Sequence, residues 1–349
     1  MPTIRFPAEI QFRPSRTVSK CVRSIVYSVV VAGLAMTTMP SSFAQQKSRS
    51  QSQMDKADQQ LRDEGAIVEI YKSTVNDQGE PVALRAYRFD PTNEDSSKQP
   101  AAAIVFFFGG GWNAGTPMQF AGHCKHFASR GMVAITIEYR VASRHGVKAK
   151  ECVSDAKSAI RWVRTNAKRL GIDPDRIVAA GGSAGGHLAA CTEMIAGFDE
   201  PTEDQTVSSR PNALALFNPA AVLASVEGRT PFPKDKQQGL NDRMGVDAID
   251  VSPYHHIGQH HPPTIIFHGK ADTTVPYWTA EAFASKLVNQ GNECQLDGFP
   301  DAGHGFFNRG RGDDKAYLET LLLLDAFLVQ HGFCAKQESV KAKSPGDPD

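Results

Sequence analysis

Gly181-Gly182-Ser183-Ala184-Gly185-Gly186 lies between an apolar run, Arg176–Ala180, and a stretch with helical spacing, Ala184–Ala196. A serine on such a strand-to-helix turn takes a strained backbone conformation and projects its hydroxyl beyond the sheet. Residues two positions to either side must be small, because strand and helix nearly collide there; Gly181 and Gly185 meet that demand. The following helix aims unpaired N–H groups at the point where an oxyanion would form. An ordinary glycine-rich turn could carry the same letters. The strand-turn-helix setting is what points to a nucleophile.

Working outward, Phe108-Gly109-Gly110-Gly111-Trp112 follows the apolar run Ala102–Phe108. Consecutive glycines let a backbone approach a carbonyl closely and turn N–H groups toward it, so Gly110 and Gly111, with Ala184, are the expected oxyanion donors. A phosphate cradle is disfavoured, since the loop lacks both the Lys-Ser/Thr of a nucleotide loop and the spacing of a dinucleotide fingerprint. Downstream, His268-Gly269-Lys270-Ala271-Asp272 ends one strand and Asp301-Ala302-Gly303-His304 follows the next. Serine, acid and imidazole therefore come in the order Ser183, Asp272, His304, on loops at strand ends. His187, one helical turn beyond Ser183, reads as a packed helix residue. Asp301 is too close in sequence to His304 to reach its Nδ1 edge. His255, His256, His260 and His261 read as solvated loop residues, in preference to a metal site.

Short β-branched and aromatic runs alternate with helical stretches through the chain. Ile67–Thr74 and Pro81–Asp90 flank the turn Asn76-Asp77-Gln78-Gly79; further strands are expected at Met132–Glu138, Ala213–Phe217, Thr264–His268 and Gln295–Phe299. Helices are expected at Met118–Ser129, Glu151–Leu170, Trp278–Asn289 and Lys315–Gln330. That alternation predicts an α/β fold, a mostly parallel twisted sheet with helices on both faces. The expected domain is 64–334, with 45–63 a polar, disordered or loosely helical linker and 335–349 a disordered tail.

On Gly-Gly-Ser-Ala-Gly-Gly-His at 181–187, His-Gly-x-x-Asp-x-x-Val-Pro at 268–276, Gly-His-Gly-Phe at 303–306 and Glu138-Tyr139-Arg140, the chain resembles α/β-hydrolase carboxylesterases. The likeness runs from about Ala101 to Gln330 and is nearest the bacterial acetyl- and feruloyl-esterase-like group beside the hormone-sensitive-lipase-like enzymes. The resemblance implies a Ser183–His304–Asp272 triad, an acyl-enzyme, no metal or organic cofactor, and a small-molecule or carbohydrate ester as substrate. One position departs from it: the family's oxyanion loop usually begins with His, and here Phe108 stands there. Phe108 follows a buried strand, so its ring is expected to pack inward and hold the loop by shape.

Residues 1–44 have the order of a secretory signal: Arg5, Arg13, Arg16, Lys20 and Arg23, an apolar run from Ser24 to Met36, then Ser42 and Ala44 before a cleavage site. A retained anchor is the competing reading, disfavoured because the apolar run is short for a bilayer. The expected location is secreted or periplasmic, without stable membrane insertion. Removing this segment's five basic residues and one acidic residue from 38 of each leaves 33 and 37, a net charge of −4. Such a protein has no electrostatic reason to bind nucleic acid. Cys124, Cys152, Cys191, Cys294 and Cys334 then remain, and an odd number leaves at least one thiol free. The segment from Ala220 to Pro263 is a short polar cap without the apolar face of a lipase lid, which favours short acyl groups. A small-substrate serine peptidase and a non-catalytic binding protein on the same fold are the alternatives.

Overall fold

In the computed structural model, residues 42–92, 99–232, 237 and 239–336 are described. The signal reading at 1–41, most of the 335–349 tail and the cap residues Lys234, Asp235 and Lys236 lie outside them. The apolar runs become eight strands: β1 (Ile67–Val75), β2 (Pro81–Phe89), β3 (Ala101–Phe107), β4 (Val133–Ile137), β5 (Ile172–Gly182), β6 (Ala213–Phe217), β7 (Thr264–Gly269) and β8 (Cys294–Phe299). They form one sheet in the order β1-β2-β4-β3-β5-β6-β7-β8. β2 runs antiparallel to β1 and β4, and every later pairing is parallel.

Strands covered on both faces read as unbroken apolar runs, and β3 shows why. Ala103, Val105 and Phe107 enter one core cluster, while Ala102, Ile104 and Phe106 enter the other. Helices Ala149–Thr165, Ala184–Met194 and Tyr277–Asn289 supply the first layer, and Ala121–Ser129 and Lys315–Gln330 the second. The parallel pairing puts the carboxyl ends of β3, β5, β7 and β8 along one edge, so the loops carrying Gly110, Ser183, Asp272 and His304 open on the same side.

Residues 45–63 are not a linker. They belong to a 22-residue helix, Ser42–Asp63, with Ser50, Met54, Ala57 and Leu61 buried at helical spacing. Met54 and Leu61 enter the second core cluster, Ser50 Oγ meets Ser143 Oγ at 2.8 Å, and Asp58 accepts the Tyr87 hydroxyl at 2.7 Å. A narrow apolar stripe on an otherwise polar helix suffices once the sheet offers a surface to receive it. The five described cysteines are all free thiols. Met54→Ala is expected to cost about 2–5 kcal/mol, as large-to-small core substitutions do. Urea unfolding measures this; a loss below about 0.5 kcal/mol would mean the helix contributes nothing to the fold.

Candidate active site

The turn between β5 and the helix Ala184–Met194 is built by contact between backbones. A Cβ added to Gly185 would lie 2.0 Å from the Phe107 carbonyl oxygen, and one on Gly181 would lie 2.4 Å from the Gly185 oxygen. Ser183 is left with φ +54° and ψ −118°, a conformation that L-residues rarely adopt. Its N–H donates to the Phe217 carbonyl at 2.9 Å, and its own carbonyl accepts from His187 N at 3.0 Å and Ala220 N at 3.3 Å. Surroundings that over-determine the turn hold this strain in place.

His304 Nε2 lies 2.9 Å from Ser183 Oγ, and Nδ1 lies 2.7 Å from Asp272 Oδ2. A carboxylate can only accept, so the imidazole carries its proton on Nδ1 and offers the Nε2 lone pair to the serine hydroxyl. Asp272 Oδ1 in turn accepts the backbone N–H groups of Thr274 and Val275 at 2.8 and 2.9 Å, and His268 Nε2 stands 3.5 Å from Oδ2. Burial pushes the carboxyl pKa upward, but the hydrogen bonds from His268, His304 and Val275 N outweigh it and hold the group well below the usual carboxylate range. Asp272 therefore stays charged near neutral pH. Asp301 is exposed and is not the residue that His304 contacts.

Beside the serine, the loop after β3 turns at Gly110 with φ +127° and Gly111 with φ +63°. The Gly110 carbonyl accepts from Asn113 N and Ala114 N, and Gly109 N is taken by Gln119 Oε1 at 2.6 Å. Among the described residues the N–H groups of Gly110, Gly111 and Ala184 have no such acceptor, and all three residues line cavities at the serine or beside it. Phe108 is fully buried and stacks on Tyr139 with ring centroids 4.1 Å apart, while the Tyr139 hydroxyl donates to the Phe108 carbonyl at 2.7 Å. The loop start is thus fixed by an aromatic stack.

Residues 90–287 match the family model described as BD-FAE, and residues 251–332 match that of the dienelactone hydrolase family. The chain belongs to the BD-FAE family. With that family it joins the α/β-hydrolase carboxylesterases, in agreement with the fold. Among solved structures, Thermogutta terrifontis esterase 2 phosphoramylated by tabun is 51% identical over 78% of this chain and 97% of its own, with a TM-score of 0.71. The butyrate-bound form of that esterase is 50% identical over the same shares, with a TM-score of 0.72. Esterase LipC of Mycobacterium tuberculosis is 29% identical over 61% of this chain and 55% of its own length. The chain thus spans about half the length of this curated relative.

Other sequence candidates fall into supporting positions. His187 is fully buried; its Nε2–H donates to the Val251 carbonyl at 2.6 Å, which leaves Nδ1 to accept the Trp112 indole N–H at 3.2 Å. Burial lowers its pKa to about 4, so it is neutral near pH 7, as this pairing requires. Trp112 itself has φ +58°, and it ties the glycine loop to the nucleophile helix and, through Val251, to the cap. His255 contacts Ser252 Oγ, His256 the Ile249 carbonyl and His261 Glu193 Oε1. Among the described residues no group of three or more metal-ligating side chains converges. The cap is polar in composition, yet Phe232 and Leu240 face a cavity of about 460 Å³ that contains Ser183 and Ala184.

Two supports were not legible in advance. Gln119 holds Gly109, and Asn218 Oδ1 accepts Gly305 N at 3.0 Å beside His304. Asn218 follows β6 with φ +34°, and a polar residue closing an apolar strand (Ala213–Phe217) is the one trace it leaves in the sequence. Phe108→Ala is expected to lose about 3–5 kcal/mol of stability. Through a displaced loop, kcat on p-nitrophenyl acetate should fall about 10²–10³-fold, the effect of one lost oxyanion donor. Phe108→His should keep measurable turnover, since the glycines remain. An unchanged melting temperature and kcat in Phe108→Ala would show that the stack does not hold the loop.

Proposed function

We propose that the protein is a serine carboxylesterase, exported from the cytoplasm, that hydrolyses esters of short acyl groups. The Ser183–His304–Asp272 relay, with contacts of 2.9 and 2.7 Å, carries this reading. His304 takes the hydroxyl proton as Ser183 Oγ attacks the ester carbonyl. The N–H groups of Gly110, Gly111 and Ala184 receive the developing oxyanion, and Asp272 stabilises the imidazolium. His304 then gives its proton to the leaving alcohol oxygen, so the alcohol must lie on the His304 side. Water, activated by the same imidazole, releases the acid from the acyl-enzyme.

Two cavities flank the serine and match this division. One, of about 580 Å³, is shared by Ser183 and His304 and suits the alcohol. The other, of about 460 Å³, lacks His304 among its lining residues and is bounded by Trp112, Ala220, Phe232, Leu240 and Val275, with Arg243 also in its wall; its small volume suits a short acyl chain. Acetylated or feruloylated carbohydrate remains the substrate class that the resemblance implies. The structural neighbours bound to propionate or butyrate support small acyl groups, and the organophosphate adducts in the same series support a serine-type mechanism in that esterase. An intact relay weighs against a non-catalytic binding role.

Ser183→Ala and His304→Ala are each expected to lower kcat by about 10⁴–10⁶ with the fold retained, as removal of a triad member does. Asp272→Asn should cost about 10⁴. Ser183→Ala retaining tens of per cent of the activity would sink the mechanism. Across p-nitrophenyl acetate, butyrate, octanoate and palmitate, kcat/KM should be greatest for acetate or butyrate and lowest for palmitate. A maximum at octanoate or palmitate would refute the short-acyl assignment.

Export rests on the order of charge, apolar run and small residues in 1–44. Expressed in a Gram-negative host, the protein should begin at or near Gln45, as read by N-terminal sequencing. A membrane-bound product that retains Met1 would favour the anchor.

A further inference from the structure

The cavity on the His304 side of Ser183 is lined by donors without a resident acceptor. Asn218 is fully buried, and its amide orientation is fixed by chemistry: Gly305 N–H can only donate, so the atom facing it at 3.0 Å is Oδ1. The amide nitrogen, Nδ2, is then left with no partner. Folded proteins leave few buried side-chain donors in that state. Asn218 lines the cavity of about 580 Å³ that also holds Ser183 and His304.

A second donor, from another element, lines the same cavity. Arg311 lines this cavity, and its Nη2 stands 3.8 Å from the point a Cβ on Gly305 would occupy. Gly305, the residue after His304, is therefore flanked by the Asn218 amide and the Arg311 guanidinium. The other amides of the lining are engaged: Gln119 Nε2 donates to Asn308 Oδ1 at 2.8 Å, and Asn308 Nδ2 donates to the Gly305 carbonyl at 2.8 Å. No Asp or Glu lines the cavity among the described residues, and Arg311 is its one permanent charge. A buried orphan donor and an exposed guanidinium share a lining that holds no carboxylate, the charge of Asp272 being engaged behind His304; together they form a receptor for a negatively charged oxygen.

We propose that this cavity is a subsite for an oxyanion, such as a carboxylate, borne by the alcohol part of the ester and held by Asn218 Nδ2 and Arg311. The assignment deepens the ester-hydrolase reading and rests on it. Binding there would set the alcohol against His304 Nε2, so selectivity for anionic alcohols and proton delivery to the leaving oxygen share one set of contacts.

The test compares 4-acetoxybenzoate with 4-methylphenyl acetate, two esters with the same acyl group and flat alcohols that differ at the para position in charge. The quantity read is the ratio of their kcat/KM values; comparing variant with wild type cancels their intrinsic reactivities. Arg311→Gln should lower the ratio about tenfold, the worth of a hydrogen bond to a charged group. Asn218→Asp keeps an oxygen for Gly305 N–H but sets a like charge against the substrate, so it should lower the ratio about a hundredfold. Arg309→Gln, exposed and outside the lining, should leave it as in wild type. Added salt should erode the wild-type preference. A ratio within twofold of wild type in Arg311→Gln overturns the subsite even if Asn218→Asp does not fold, and so does a raised ratio in either variant. If wild type turns over 4-methylphenyl acetate while the ratio is insensitive, the subsite alone fails. If wild type hydrolyses neither ester, the ester-hydrolase reading fails and takes the subsite with it.

Discussion

The site is built on a contact between two backbones, where Gly185 meets the Phe107 carbonyl with no room for a β-carbon. That contact locks the end of β3 to the start of the nucleophile helix. The residue after Phe107 opens the glycine loop, and Ser183 sits two positions before Gly185. Attacking oxygen and oxyanion donors are therefore registered to each other through main chain, with no flexible side chain in between. The register costs a strained serine and a row of glycines. The parallel sheet repays it by holding β3, β5 and β6 in fixed alignment, Phe107 opposite Gly181 and Gly182 opposite Phe217.

Around this rigid joint the polar supports come from distant parts of the chain. Tyr139 holds the Phe108 carbonyl, Arg144 Nη1 the Gly115 carbonyl at 2.9 Å, Gln119 the Gly109 N–H, and His187 the Trp112 indole. Asp272 is held in the same manner, by two backbone N–H groups and His304, while the neighbouring His268 Nε2–H donates to the Val275 carbonyl at 2.9 Å. Each support is buried or half-buried, where a lost partner leaves a desolvated polar group behind. Glu138-Tyr139-Arg140 gains its meaning here as well. Tyr139 braces the glycine loop, while Arg140 donates from backbone N, Nε and Nη2 to the buried Asp155, tying the end of β4 to the helix Ala149–Thr165.

Much of this was legible in the sequence because it is written locally. The strands are covered on both faces, so their apolar runs stand out, and Ser183, Asp272 and His304 each sit in a short motif at a strand end. The inward packing of Phe108 followed from its place directly after β3. What could not be read arises only in three dimensions. Asn218 and Gln119 are single polar residues whose partners lie 87 and 10 positions away. The helix Ser42–Asp63 reads as a linker because its composition is polar, and its stripe of Ser50, Met54, Ala57 and Leu61 contains only two large apolar residues. The cap misleads in the same direction: composition averages over Phe232 and Leu240, which are the residues that face the cavity.

The thiols have a consequence for how the protein is made. Disulfide exchange needs thiolate, and burial pushes Cys124, Cys152 and Cys191 well above the ordinary thiol range and Cys294 and Cys334 up to about 12. No covalent cross-link joins these five positions, so the described fold is held by packing, hydrogen bonds and ion pairs. These five sulfurs therefore leave an oxidoreductase no native pairing to make.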